Sequence, residues 1–567
     1  MLKYFQKLRS ILLPKEKKRL LIFTALLTFT SFVEVVTLLV SFSVLSILFG
    51  NTSNVATIAT LDVVAQMNTK SLILTLLSFA TLKIVSIIPI YFYEARLKEQ
   101  ISTRLSTRLY NYYLNLPYMD FISSEKAALA RNVQDVYLVV QNSVFPLIAF
   151  VSESIFLTGL VIILFLTAPT YSLVGVFAIA LLGLILSKFN STLSTILGNR
   201  YNSFAKVCSI DAMEGLNSGA EVRMFDAHHY FVKKFSESSY TKLRALFKVR
   251  IFGDITAHAL EFVLIFTASL IILVLESSGG LVSSNLQILS ILTVSALRAI
   301  PSVGKLNACV QSIKFSSATL IDVTNELSND QIRQQSEISE SELSRNSDIH
   351  LRSVNFGYPN MNNKLTLIDM NASFKFGEIT VVVGPNGAGK TSLINLLTGL
   401  FEPQSGEIFL GNTKVSTNNP GWKNKVGFVP QEISLINSTI FENVVFGRGG
   451  ISDLEIKVDN ALNTAGLRGF INGLTLGQSH LIGENGNKLS GGERQKLGIA
   501  RAILLTPPIL VFDELSNFLD NLSVYETIKI LESFRDKHTV ILVTHDKRIL
   551  AIADQVIELS SESTVLQ

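Results

Sequence analysis

The chain has 567 residues, 48% hydrophobic and only 17% charged, with a mean hydropathy of +0.39. That is too apolar for an ordinary soluble protein and too long for one domain, and the formal charge of +4 matters more for where it lies than for its sum. Two cysteines, Cys208 and Cys309, suggest no disulfide framework and fit a reducing compartment.

The N-terminus is basic (Lys3, Lys7, Arg9, Lys15, Lys17, Lys18, Arg19) and runs into an apolar segment too long for a signal-peptide core, so no cleavable signal is expected. Up to about residue 320, apolar runs near 20–46, 71–93, 140–166, 171–189, 254–275 and 286–310 are each long enough to cross a bilayer, which takes about 20 helical residues. Only "APTY" joins the third to the fourth. Lysines and arginines crowd the N-terminus, 96–108 and 223–250, and are nearly missing from 47–70 and 276–285. The positive-inside rule therefore puts both ends of this region in the cytoplasm, which six spans satisfy. Segments 94–139 and 190–253 are polar but helical in pattern, as cytoplasmic extensions of spans would be. In the loop 54–67, Val55, Ile58, Leu61, Val64 and Met67 recur mostly three apart, a pattern for a short helix on the outer membrane surface or one packed on its own bundle.

Five charges inside these spans lie at one depth: Glu34, Lys83, Glu153, Glu261 and Arg298. Each is about 12–14 residues from the expected outer end of its span, roughly 18–21 Å at the helical rise. They share a layer slightly cytoplasmic of the midplane. Charges at that depth face each other or water rather than lipid. Two readings follow: ion pairs that fix helix rotation, such as Glu34 with Lys83 or Glu153 with Arg298, or a watery cavity that meets a charged cargo. Arg298, Lys305 and Lys314 on the last span would present positive charge at successive depths, which suits a phosphate-bearing headgroup.

Residues 328–348 ("SNDQIRQQSEISESELSRNSD") read as a linker between a 1–327 membrane domain and a 349–567 soluble domain. In the latter, short β-branched runs ("ITVVVG", "KVGFVP", "PILVFDE", "TVILVTH") alternate with helical stretches, the pattern of an α/β domain with a largely parallel sheet. "GPNGAGKT" follows the strand "ITVVV" and opens a helix, a P-loop in its proper setting. The backbone of Gly384, Pro385, Asn386, Gly387, Ala388 and Gly389 would cradle phosphates, with Ser392 in the first helical turn. Lys390 would reach the β- and γ-phosphates and the Thr391 hydroxyl would ligate Mg²⁺. "ILVFDE" is a buried strand ending in two acids, Asp513 suited to the Mg²⁺ shell and Glu514 to the base for the attacking water.

Between these motifs, "LSGGERQKLGIARA" (489–502) resembles the signature of ATP-binding cassette (ABC) proteins. The resemblance implies roles for further residues: Tyr358 in "FGYP" stacks on adenine, Gln431 in "VPQE" touches Mg²⁺, His545 in "LVTHD" holds the γ-phosphate, and Asp520 is the D-loop aspartate. Ser490, Gly491 and Gly492 offer a hydroxyl, N–H groups and a helix N-terminus to a phosphate held by a second subunit, so the chain must dimerise. A homodimer is the simplest arrangement, with a similar partner chain as the other. Glu493 stands where the family more often has Gln, and "LSNFLD" makes Leu515, Asn517 and Phe518 atypical while keeping Glu514 and Asp520 in place. No regulatory C-terminal element and no preceding peptidase domain are expected.

The whole chain resembles the exporter type of ABC half-transporter: an all-α six-helix transmembrane domain followed by an α/β P-loop NTPase domain. That family implies coupling helices, for which 116–127 and 209–219 are the candidates. "TSFVEVVTLLVSF", "ATLKIVSIIPIYFYEARL", "NLPYMDFISSEKAALARNV" and "ALRAIPSVGKLNACVQSIKF" look like the membrane half of flippases for polyprenyl-diphosphate-linked oligosaccharides. The expectation is an ATP- and Mg²⁺-dependent, multi-pass protein of a bacterial inner membrane that exports or flips a lipid-linked oligosaccharide or another amphiphile. The alternatives are a peptide exporter or an ATP-gated channel or receptor. Six spans exclude a soluble ATPase acting on nucleic acid. His228-His229 lack further ligands at metal spacing, and Trp422, the sole tryptophan, reads as surface or packing.

Overall fold

The computed structural model describes residues 2–48, 69–167, 169–277, 283–333, 346–358, 365–415, 420–515, 520–560 and 565–566. The amphipathic pattern in 54–67, most of the linker, and Asn517 and Phe518 lie outside these. Two compact units result, Met1–Leu116 with Ser123–Gln335, and Pro117–Ile122 with Ser336–Gln567.

The first unit is helical: α1 (Leu2–Ile11), α2 (Pro14–Leu48), α3 (Thr69–Leu114), α4 (Tyr118–Ser123, shared at its first five residues with the second unit), α5 (Lys126–Val139), α6 (Phe145–Thr167), α7 (Pro169–Asn217), α8 (Gly219–Met224), α9 (His228–Ser277), α10 (Ser283–Phe315) and α11 (Ser317–Arg333). Helix is the form that satisfies every backbone group of an open chain within its own segment, as hydrocarbon requires. Among the described residues four stretches are long and apolar enough to span a membrane, Pro14–Ser41, Ile73–Leu114, Lys126–Phe165 and Leu181–Asn217. The two remaining expected spans fall within α9 and α10. Helices α3, α7 and α9 run 46, 49 and 50 residues. At 1.5 Å per residue that is about 70 Å, more than twice the hydrocarbon thickness of about 30 Å, so each continues well beyond the bilayer as the polar segments required.

Between α5 and α6 the chain takes a π turn, Val140–Val144. Pro146 has no N–H to give to the carbonyl four residues back, that of Asn142. Ser312 of α10 supplies the missing donor, its Oγ lying 3.1 Å from Asn142 O. Small hydroxyl pairs tie other helices where lipid offers no hydrophobic drive: Ser31 with Ser152 at 2.8 Å and Ser143 with Ser316 at 2.7 Å. The polar extensions are joined by a buried network in which Arg131 donates to Asn202 O at 3.1 Å and Asn202 Nδ2 donates to Asp322 Oδ2 at 3.0 Å. Around it pack Ile101, Leu105, Leu109, Val136 and Leu320, all essentially inaccessible.

In the second unit, β1 (Ile349–Gly357), β2 (Leu365–Phe374), β4 (Ser405–Leu410) and β5 (Thr413–Val415) form an antiparallel sheet of order β2-β1-β4-β5. A second sheet joins β3 (Ile379–Val383), β6 (Val426–Val429), β7 (Ile509–Asp513), β8 (Thr539–Val543), β9 (Gln555–Leu559) and β10 (Val565–Leu566) in the order β10-β9-β3-β8-β7-β6, parallel except for β10. Strands β7 and β8 are buried along their whole length, which is why they read as unbroken β-branched and apolar runs. Trp422 is fully buried rather than at the surface, and its Nε1 donates to Leu397 O at 2.9 Å, closing the end of the helix that follows the P-loop.

Candidate functional site

Register brings the motifs to one edge. Val382 and Asp513 both pair with Val543, and Val429 pairs with Phe512. The segments leaving the carboxyl ends of β3, β6, β7 and β8 therefore emerge side by side: the P-loop, Gln431, Asp513-Glu514 and His545. In an open parallel sheet that edge is where ligands bind.

The P-loop needs its glycines for specific reasons. A Cβ on Gly384 would stand 2.6 Å from Leu559 O, and Gly389, at φ 92°, would press within 2.8 Å of Leu367 Cδ2. Gly389 is also the N-cap of the helix Lys390–Leu397, so the helix start faces the loop. Lys390 is buried and its Nζ donates to Gly384 O at 2.6 Å and Pro385 O at 3.2 Å, spanning the concavity that phosphate oxygens would fill. The Tyr358 hydroxyl lies 3.2 Å from Ser392 Oγ, one residue beyond Thr391.

At the end of β7, Asp513 is buried, and burial, then the neighbouring Glu514, pushes its carboxyl up to about 6, with Lys390 opposing. Glu514 sits at φ 50°, a left-handed backbone that a non-glycine residue adopts only when its surroundings impose it. Its N–H donates to Val543 O at 2.9 Å, and its carboxylate accepts from Gln431 Nε2 at 2.9 Å. The two residues assigned to the attacking water and to Mg²⁺ thus touch. Leu515 is buried. His545 is exposed at the end of β8. Next to it Asp546 caps the short helix Lys547–Leu550 and binds Arg548, whose guanidinium also donates to Asn521 Oδ1 at 2.7 Å. Asp520 caps the helix Asn521–Glu532; Ser523 holds its carboxyl below the usual range. Arg548, which the motif reading missed, joins the D-loop to the histidine segment.

Ser490 begins the helix Gly491–Ile503, and with Glu493 it forms a reciprocal capping box: Glu493 Oε2 accepts from Ser490 N and Oγ, both at 2.8 Å. Glu493 is therefore engaged in building the helix start. The S-x-x-E spacing carried that signal in the sequence. A cavity of about 420 Å³ lies between Gln431–Ser434, Asn485 and this helix at Gly491, Arg494 and Gln495.

In the membrane unit, Lys83 Nζ and Arg298 both reach Glu34 Oε1, at 2.8 and 2.6 Å. Lys305 meets Glu153 at 2.8 Å, so Glu153 pairs with Lys305 and not with Arg298 as expected. Glu261 meets His258 of its own helix at 3.0 Å rather than any of these. Arg298 and Lys305 keep 48% and 64% of their side chains accessible.

Residues 367–517 match the family model described as ABC transporter. Among relatives, the "ATP-dependent lipid A-core flippase" of Wigglesworthia glossinidia brevipalpis is 25% identical over 464 residues, 81% of this chain and 78% of that protein. The "Serine protease/ABC transporter B family protein tagA" of Dictyostelium discoideum is 28% identical over 449 residues, 77% of this chain; the chain spans only 24% of that protein's length. A bacterial Atm1-family ABC exporter with ATP bound has the same fold, with a TM-score of 0.73 at 20% identity, covering 98% of this chain and 95% of that one. A P-loop ATPase unit joined to a helical membrane unit is the architecture these findings share. These findings identify an ABC transporter domain at residues 367–517 and make the chain as a whole similar to exporter-type ABC half-transporters.

Proposed function

We propose that two copies of this chain form a homodimer in a bacterial inner membrane, with both termini and the cassette cytoplasmic. ATP is held between the P-loop of one copy and the Ser490-Gly491-Gly492 helix start of the other. Closure of that sandwich turns a cavity in the bundle from one face of the bilayer to the other. The observation that carries this reading is the alignment of P-loop, Gln431, Asp513-Glu514 and His545 on adjacent strand ends of one chain, a complete hydrolytic half-site.

Glu514 orients and deprotonates the attacking water, held in place by Gln431. Lys390 leaves the two carbonyls it now bridges and turns to the β- and γ-phosphates. Tyr358 stacks on adenine, and His545 and the partner copy's signature face the γ-phosphate. The donors fit Mg²⁺: the Asp513 carboxylate and Thr391 hydroxyl are hard oxygens, with Gln431 close by. This ion commonly takes one or two protein ligands plus phosphates. When bound it would neutralise charge building on the phosphates.

The cargo is an amphiphile with an anionic head, a lipid-linked oligosaccharide foremost. Lys83, Arg298 and Lys305 stand against Glu34 and Glu153, which leaves the cluster with one positive charge in excess. Two of the three cations stay accessible. Segments 116–127 and 209–219 serve as coupling elements. Leu216, Met224 and Phe225, exposed near the second, suit docking on the other copy. ATPase stimulation in nanodiscs across polyprenyl-diphosphate sugars, phospholipids and peptides tests the cargo. Lys83→Ala and Arg298→Ala should weaken stimulation by phosphate-bearing lipids alone. Equal loss for every compound contradicts a headgroup site, and stimulation without net movement into the opposite leaflet marks a gated channel instead.

A further inference from the structure

The helix after the P-loop ends abruptly. Gly399 takes φ 73°, and the N–H groups of Leu400 and Phe401 both donate to Asn395 O at 2.9 Å. This turn fixes Phe401 to the P-loop helix with its side chain only 3% exposed. The Phe401 ring lies 5.0 Å from Phe356, nearly parallel, and 5.8 Å from Tyr358, nearly perpendicular. It also meets Tyr118, at 5.8 Å and 40°. Tyr118 belongs to the segment Pro117–Ile122 that packs as part of the cassette unit, and its neighbour Met119 rests on the same core. Among the described residues no ring contact joins Tyr118 to Tyr358 directly, so Phe401 is the link between them.

We propose that Phe401 is a positioning residue through which the nucleobase and the Pro117–Ile122 segment sense each other. The inference rests on the assignment of Tyr358 to the adenine ring. Adenine stacked on Tyr358 fixes that ring; Phe401, buried against it and against Phe356, then has one orientation left, and Tyr118 must seat against it. Close packing makes such a contact discrete rather than yielding. Coupling between two binding events is reciprocal, so loss of the Tyr118 ring must weaken base binding. The route runs through aromatic rings rather than through the phosphate-binding backbone, and it makes the segment respond to the base as well as to the γ-phosphate.

The test is equilibrium binding of AMP-PNP and of tripolyphosphate, which has no base, to the full chain in nanodiscs. Tyr358→Ala weakens AMP-PNP and leaves tripolyphosphate unchanged. Tyr118→Ala, at a residue 36% exposed and so tolerant of truncation, weakens AMP-PNP by about two- to tenfold, the range of an aromatic pair, again without touching tripolyphosphate. The double variant binds no more weakly than Tyr358→Ala. Hydrogen exchange over 117–122 slows with AMP-PNP and not with tripolyphosphate, and Tyr358→Ala erases the difference. If Tyr358→Ala behaves as stated while Tyr118→Ala affects both ligands or neither, or the two losses multiply, the link is wrong and the adenine assignment stands. If Tyr358→Ala leaves AMP-PNP binding intact, the adenine assignment falls and the link with it.

Discussion

The cassette and the membrane unit are built on opposite terms. In the cassette, each functional group is held by backbone geometry: glycines where a Cβ would collide, a strained Glu514, helix starts aimed at phosphate. In the membrane unit, the candidate cavity charges take their neighbours from other helices, as Glu34 on α2 meets Lys83 on α3 and Arg298 on α10. A site held by backbone geometry restricts the residue type at each position, whereas a salt-linked cluster constrains the balance of charge.

The contrast is broken most forcefully at Glu514. Glu514→Gln keeps the shape and the contact with Gln431 but removes the base, and steady-state phosphate release should fall by about 10²–10⁴-fold while ATP still binds. Turnover at the native rate would show that the cassette does not depend on this group. In the membrane, Glu34→Leu strands two cations and should lower stability by about 1–3 kcal/mol in thermal unfolding, discounted because Arg298 is half-exposed. Exchange of Glu34, Lys83 and Arg298 together for apolar residues should restore most of that stability and still abolish stimulation by phosphate-bearing lipids. A triple variant as unstable as the single one would mean that the charges hold the helices together.

Asp513 supplies a pH signature. Its carboxyl is raised to about 6, above its ordinary value of 3.8, so the folded chain binds more protons than the unfolded one between these values, and stability falls as pH rises through that window. Protons also compete with Mg²⁺ for the same oxygens. Hydrolysis at limiting Mg²⁺ should fall about tenfold per pH unit below 6 and recover in excess Mg²⁺. An unchanged Mg²⁺ requirement across that range would remove Asp513 from the metal site. The smallest effect is at Trp422→Phe, which removes the bond to Leu397 O and should lower cassette stability by about 1 kcal/mol with little change in turnover.

The motor was legible in the sequence because phosphate chemistry demands particular residue types at fixed spacing on particular elements. "GPNGAGKT" after a β-branched run leaves few other readings. Equal distance from the expected outer ends of their spans puts Glu34 with Lys83, and the two do pair. That distance says nothing of helix rotation, so the same reading puts Glu153 beside Arg298, whereas it lies beside Lys305. Trp422 reads equally as surface or packing in the sequence, because one indole in a polar stretch has no period to place it. Phe401 is one of 36 phenylalanines, and only tertiary contact singles it out.

Sharing of each ATP site between two chains is the claim on which both units depend. Mixed dimers of a Lys390→Ala chain with a Ser490→Ala chain decide it. Each variant alone spoils both sites of its homodimer, whereas the mixture pairs one intact P-loop with one intact signature. About half of native hydrolysis per mixed dimer is the predicted result; activity no higher than in either homodimer would contradict it.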